Sequence, residues 1–87
     1  MLRNGEKIRI WMEFPVLRRK FECLLPLKRS VNDCIPYLNE LFAAEFEGVY
    51  RLDDNTLFYE AQSSCLISRT VTLSNQNLRD GMRLLVY

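Results

Sequence analysis

Three cysteines, two short basic runs and one acidic turn are the places in this chain where residue type and spacing invite a chemical reading. Cys23, Cys34 and Cys65 are odd in number and irregularly spaced, which suggests neither a disulfide framework nor a C-x-x-C metal site. Cys23 falls on the apolar side of an alternating segment and Cys34 on the apolar side of a helical one, where a thiol serves as a small hydrophobe. Cys65 is expected at the surface, but no basic cluster or helix start adjoins it to lower its pKa. Asp53, Asp54 and Asn55 begin like an oxygen-ligand loop for calcium, yet the glycine and later bidentate glutamate of such a loop are missing, so a solvated turn is expected. Histidine is absent, which removes the commonest general base and the usual partner of a nucleophilic serine or cysteine. No phosphate-binding glycine loop occurs. The chain is therefore read as non-enzymatic, with no catalytic residue, cofactor or metal ligand assigned.

The basic runs are Arg18, Arg19 and Lys20, then Lys28 and Arg29. Brought together beside Trp11, they would make a patch for RNA or an acidic partner. The preferred reading is an ordinary solvated rim: eleven carboxylates offset twelve cations for a net charge of +1, so there is no global field to collect nucleic acid.

These side chains need a scaffold, and the periodicity supplies one. Lys7 to Phe14 alternates, with Ile8, Ile10, Met12 and Phe14 opposite Arg9, Trp11 and Glu13, as in a half-buried strand. After Pro15 and a short basic connection, Lys20 to Leu27 alternates again, which predicts an antiparallel hairpin whose Pro26 suits an edge strand. Ser30 is a good helix N-cap with Asp33 in the first turn. Val31, Cys34, Ile35, Leu38, Leu41, Phe42 and Phe46 then recur at helical spacing up to the stop at Gly48. Pro36 removes one hydrogen bond and predicts a kink or a later helix start near Asp33. Val49 to Leu52 and Leu57 to Glu60 read as a second hairpin around the acidic turn. The path of residues 61–72 is not legible, and Leu73 to Leu78 reads as a connection or a helical turn. Asp80-Gly81 then marks a turn before a final apolar strand, Met82 to Tyr87.

Eighty-seven residues, 48% of them hydrophobic, make one small domain over residues 1–87, with 1–6 expected as a disordered lead-in. A chain of this size buries roughly 60–65% of its unfolded surface, enough for one core. The fold class is α+β: a mixed sheet of about 4–5 strands with one main helix, about 31–46, on one face. Its first and last strands lie parallel at the centre through a right-handed crossover.

In this order the opening K-I-R-I-W-M-E-F, the helix start S-V-N-D-C-I-P-Y-L and the ending L-S-N-Q-N-L-R-D-G-M-R-L-L-V-Y resemble the ubiquitin-like superfamily. They are most similar to the small YukD/EsaB-type proteins of type VII secretion in Gram-positive bacteria. The resemblance implies a β-grasp fold and an accessory role in a type VII (ESX-like) secretion system, with a secretion component as protein partner. Ubiquitin-like modifiers and sulfur carriers end in a Gly-Gly tail, which Leu85-Val86-Tyr87 lacks, so conjugation is not expected. A modifier with a lost or processed tail is one alternative, and a small RNA-binding module using the basic hairpin turn is another.

Alternation has a further consequence. With Ile8, Ile10, Met12, Leu84 and Val86 facing the helix, Trp11, Leu24, Leu85 and Tyr87 point outward on three strands with Arg9 and Arg83 among them. This is the composition of a protein interface, for a partner or for a homodimer through the sheet face. No apolar run approaches the ~20 residues of a membrane span and no signal peptide follows Met1, so a cytoplasmic protein, recruited to the membrane's inner face by its partner, is expected.

Overall fold

The computed structural model describes residues 6–48 and 50–87. The order is β1 (Lys7–Phe14), β2 (Arg19–Pro26), α1 (Val31–Glu45), β3 (Phe58–Glu60), a 3-10 turn at Leu73–Gln76 and β4 (Met82–Val86). The four strands form one mixed sheet in the order β2-β1-β4-β3. β1 runs antiparallel to β2 and parallel to β4, and β3 runs antiparallel to β4. The first and last strands are thus the central pair, as the apolar runs require. The expected lead-in at 1–6 falls, apart from Glu6, outside the described residues; the Glu6 carbonyl accepts from Leu27 N–H and extends the ladder.

The hairpin turns through Pro15 to Arg18, with Arg18 at φ 54° and Leu17 N–H donating to the Phe14 carbonyl. The helix begins at Val31 in spite of Pro36. Ser30 caps it through its hydroxyl, which accepts from Asp33 N–H, while the Asp33 carboxylate accepts from Ser30 N–H. That reciprocal capping box satisfies two otherwise free donors and anchors the first turn upstream of the proline. Val31, Cys34, Leu38 and Phe42 are buried on the sheet, whereas Leu41, expected inside, is 39% exposed. The chain leaves the helix through left-handed Glu47 and Gly48.

An aromatic cluster closes the hairpin end of the core. Phe14 packs edge-on against Phe42, Phe46 and Tyr50 at centroid distances of 5.2, 5.2 and 5.4 Å, and Phe21 lies 6.2 Å away. Arg19 stacks over Phe21 and Phe46 and reaches Glu45.

The second hairpin does not form. Residues 50–52 are not a strand, and Val49 lies outside the described residues. The backbone of buried Leu52 is instead read by a side chain: its N–H donates to Asn39 Oδ1 at 2.7 Å, and its carbonyl accepts from Asn39 Nδ2 at 2.9 Å. A helix side chain has taken the place of a strand partner. Removing it strands a donor and an acceptor under the helix, so Asn39→Ala is expected to cost about 1–3 kcal/mol, read as a lower urea midpoint with an unchanged slope.

The segment left unread at 61–72 is held by specific bonds. Leu66 bridges to Tyr59 and Thr72 to Ser30, buried Ile67 donates to the Phe58 carbonyl, and Gln76 clasps Ser68 from both sides. Arg69 donates to Asn32 Oδ1 and to the carbonyls of Asp53 and Thr56, which ties the acidic turn to the helix start.

Candidate protein-interaction site

Among the described residues the sheet has a dry face and an open one. Ile8, Ile10, Met12, Leu84 and Val86 are all buried against the helix. Alternation therefore turns Arg9, Trp11 and Glu13 of β1, Lys20, Glu22 and Leu24 of β2, and Arg83 and Leu85 of β4 to the other side. Cross-strand register sets them in rows. Leu24 pairs with Arg9; Trp11 lies between Glu22 and Arg83; Glu13 lies between Lys20 and Leu85, and Tyr59 continues that row on β3.

Leu24 and Tyr87 are 50% and 49% exposed, and Trp11 and Leu85 are half-buried. The tyrosines meet edge to face, Tyr59 and Tyr87 at 6.0 Å, and Tyr87 exchanges both backbone hydrogen bonds with Leu57 at 2.9 Å. Exposed Leu57 and Leu66 adjoin the same corner. The sequence reading placed four outward apolar residues on three strands; Tyr59, Leu57 and Leu66 were missed. Their signal was the buried Phe58, which forces its neighbours outward, but nothing local says that β3 pairs with β4.

The charged residues of this face are largely neutralised within it. Arg9 grips Asp80 with both its side chain and its backbone: the guanidinium donates to Oδ2 at 3.1 and 3.3 Å, and the backbone N–H donates to Oδ1 at 2.7 Å. Gly81, at φ 83°, then donates its N–H to the Arg9 carbonyl. The Asp-Gly pair thus docks the start of β4 onto β1. Arg83 donates to Glu13 through two nitrogens, and the Lys20 ammonium sits 5.6 Å from the Trp11 ring centre.

These bonds set the carboxylate acidities. The Arg9 backbone N–H, then its side chain, hold Asp80 below its ordinary value; Arg83 does the same for Glu13, and the Gln62 N–H for Glu60. Each folded pKa lies below the unfolded value near 4. Their contribution is therefore complete above that pH and lost as pH falls through the folded values. Thermal stability is expected to hold from pH 7 to about 5 and decline below about 4, and Asp80→Asn should flatten that decline. A decline as steep in Asp80→Asn as in the parent chain would remove Asp80 from this account.

The two basic runs do not meet. Arg18, Arg19 and Lys20 lie at the turn end of β2, and Lys28 and Arg29 follow its other end, roughly 23 Å away along a strand rising about 3.3 Å per residue. Arg19 and Lys20 are also engaged, with Glu45 and Trp11 respectively. The acidic turn is committed too: Asp53 Oδ1 accepts from Asn55 N–H and the Thr56 hydroxyl. Cys23 and Cys34 are buried and Cys65 is exposed; burial pushes the Cys23 thiol up to about 11 and raises Cys34 as well. Among the described residues no group of three His, Cys, Asp or Glu side chains is placed to hold a metal, and no helix is long and apolar enough to cross a membrane.

No protein-family model and no curated protein sequence matches the chain. Solved structures do. The ubiquitin-like domain of EccD5 from Mycobacterium xenopi superposes with a TM-score of 0.72 at 14% identity over 94% of this chain and 93% of that one. The fold is that of a ubiquitin-like domain. A ubiquitin-like domain from Arabidopsis thaliana superposes with a TM-score of 0.64 at 13% identity, over 94% of this chain and 77% of that one. A chain of an ESX-5 inner membrane complex superposes at 0.72 with 15% identity, over 94% of this chain but only 21% of its own length. In the ubiquitin-like frame β1 and β4 are the central strands, and the candidate site occupies the sheet face opposite the helix.

Proposed function

We propose that this chain is a non-enzymatic, ubiquitin-like protein-interaction module, an accessory component of a type VII (ESX-like) secretion system in Gram-positive bacteria, akin to the YukD/EsaB-type proteins. It acts in the cytoplasm and is recruited to the inner face of the membrane by its partner. The observation that carries the reading is the open sheet face, where Trp11, Leu24, Tyr59, Leu85 and Tyr87 gather on a rigid sheet whose arginines are already paired. An aromatic and aliphatic surface of this kind gains by excluding water against another protein. Likeness to the ubiquitin-like domain of EccD5 and to a chain of an ESX-5 inner membrane complex supports the choice of system.

The test is co-purification of the tagged chain with the membrane-embedded secretion complex of its host, compared with Leu85→Ala and with a control substitution at exposed Asp54. Loss of the complex in Leu85→Ala alone is expected. Equal recovery of secretion components with all three proteins would reject the sheet face, and recovery with none would reject the secretion role.

A further inference from the structure

The turn joining β1 to β2 breaks two local rules. Pro15 and Val16 are the central residues of a turn closed by Leu17 N–H on the Phe14 carbonyl at 3.0 Å, and Arg18 N–H then donates to the Pro15 carbonyl at 3.2 Å. Tight turns favour Gly, Asn, Asp and Ser at their centres, yet Val16 holds the apex. It is 82% exposed, ahead of Leu66 at 60% and of every other large hydrophobic among the described residues. Arg18 takes a left-handed φ of 54°, where glycine is ordinarily found. Leu17 packs inward against the core, and its neighbour Val16 is turned outward.

A single exposed apolar residue ordinarily means nothing; here its setting is cationic. Arg18, Arg19 and Lys20 follow directly, all of them exposed. Arg19 and Lys20 stand on opposite shoulders of the hairpin, Arg19 over Phe21 and Phe46 on the helix side and Lys20 over Trp11 on the open side. Arg18 and Lys20 have no carboxylate within 4.0 Å among the described residues. Arg19 meets Glu45 at 3.5 Å, but both side chains are about half exposed, so the pair is weak and free to exchange. Glu13 is spent on Arg83, and Glu47 stands nearby at the helix end. A hollow of about 300 Å³ lies among Glu13, Phe14, Pro15 and the three cations, large enough for a phosphate group.

We propose that this hairpin tip docks on an anionic lipid surface, with Val16 entering the boundary between headgroups and acyl chains while Arg18, Arg19 and Lys20 meet lipid phosphates behind it. The cations trail the apex by about 3–7 Å along strands rising about 3.3 Å per residue. An apolar group buried about 5–10 Å sets them at headgroup depth. A protein partner fits less well, since a convex apex covers little of the ~800 Å² per side that a stable interface needs, whereas lipid moves aside around it. One valine and three cations hold only at about millimolar lipid, so the contact orients a chain that a partner has already brought to the membrane. In that respect it rests on the preceding proposal; the affinity for lipid itself does not. With the hairpin end-on, the sheet face stays open to the partner.

The test is sedimentation of the full chain with vesicles of phosphatidylcholine, alone or mixed equally with phosphatidylglycerol, at low salt. Binding to the anionic vesicles only is expected, weakened about tenfold or more by raised salt. Val16→Ser, which leaves every charge in place, should weaken it about fivefold, and Val16→Trp should strengthen it. Arg18→Glu should cost about tenfold or more, since each unit of charge near such a surface is worth about fivefold. Leu85→Ala should bind vesicles as the parent does, which separates this tip from the sheet face. Circular dichroism checks that each variant folds. Equal binding to neutral vesicles, no binding at about 10 mM lipid, or Val16→Ser binding as tightly as the parent would each overturn the proposal. So would amide shifts at Val16 to Lys20 produced by soluble glycerophosphate as readily as by vesicles, which would mean a free-phosphate site. Loss of a co-purifying protein in Val16→Ser without any vesicle binding would overturn it in favour of a protein contact.

Discussion

Phe14→Ala is expected to lower the unfolding free energy by about 3–5 kcal/mol, the usual range for truncating a buried phenylalanine. The ring is 2% exposed and touches four other aromatic rings from β2, α1 and the segment after the helix. Its loss removes transfer free energy and leaves a cavity between elements that cannot collapse without pulling the hairpin off the helix. A domain of this size has roughly 4–13 kcal/mol in all, so one substitution removes a large share. The melting temperature should fall by about 12–40 °C at about 4–8 °C per kcal/mol. Urea and thermal denaturation followed by circular dichroism decide it. A loss below about 1 kcal/mol would mean that the cluster does not hold the core as described.

The second large effect is on binding. Trp11 lies mid-sheet between Glu22 and Arg83, diagonal to Leu85, with Lys20 over its ring. A tryptophan at the centre of an interface commonly costs 2 kcal/mol or more when truncated, which corresponds to about 30-fold in affinity. Trp11→Ala should therefore weaken the partner complex by at least that factor while leaving the melting curve nearly unchanged, since the half-buried ring faces away from the core. Binding can be read by titration calorimetry against the secretion component recovered with the parent chain. If affinity is retained while the melting temperature drops, Trp11 is a structural residue and the surface assignment fails.

Much of the architecture was legible because two periods are written plainly. Alternation in Lys7 to Phe14 and after Arg19, with the 3.6-residue repeat from Val31 to Phe46, leaves little choice about which faces are apolar. The capping pair Ser30 and Asp33 marked the helix start more firmly than Pro36 contradicted it, because the missing donor lies beyond the capped turn. The second hairpin was misread for a physical reason. Leu52 has strand-like neighbours, but its backbone is satisfied by Asn39, thirteen residues back, and no local pattern announces that a helix side chain will act as a strand. The segment 61–72 was illegible for the same cause: its order comes from Arg69 and Gln76 binding distant carbonyls.

The candidate site divides along the same line. The outward direction of Trp11, Leu24, Leu85 and Tyr87 follows from a period of two and needs no tertiary information. That Tyr59 completes the row, that Arg9 and Arg83 are spent on Asp80 and Glu13, and that the two basic runs stand at opposite ends of β2 depend on strand order and register. By itself the sequence determined which side of β1, β2 and β4 is wet, since burying apolar area dominates that choice along an alternating strand. Only the tertiary structure decided which wet side chains become neighbours, because that rests on pairings between residues some 70 positions apart, Arg9 with Asp80 and Glu13 with Arg83, whose attraction no local pattern encodes.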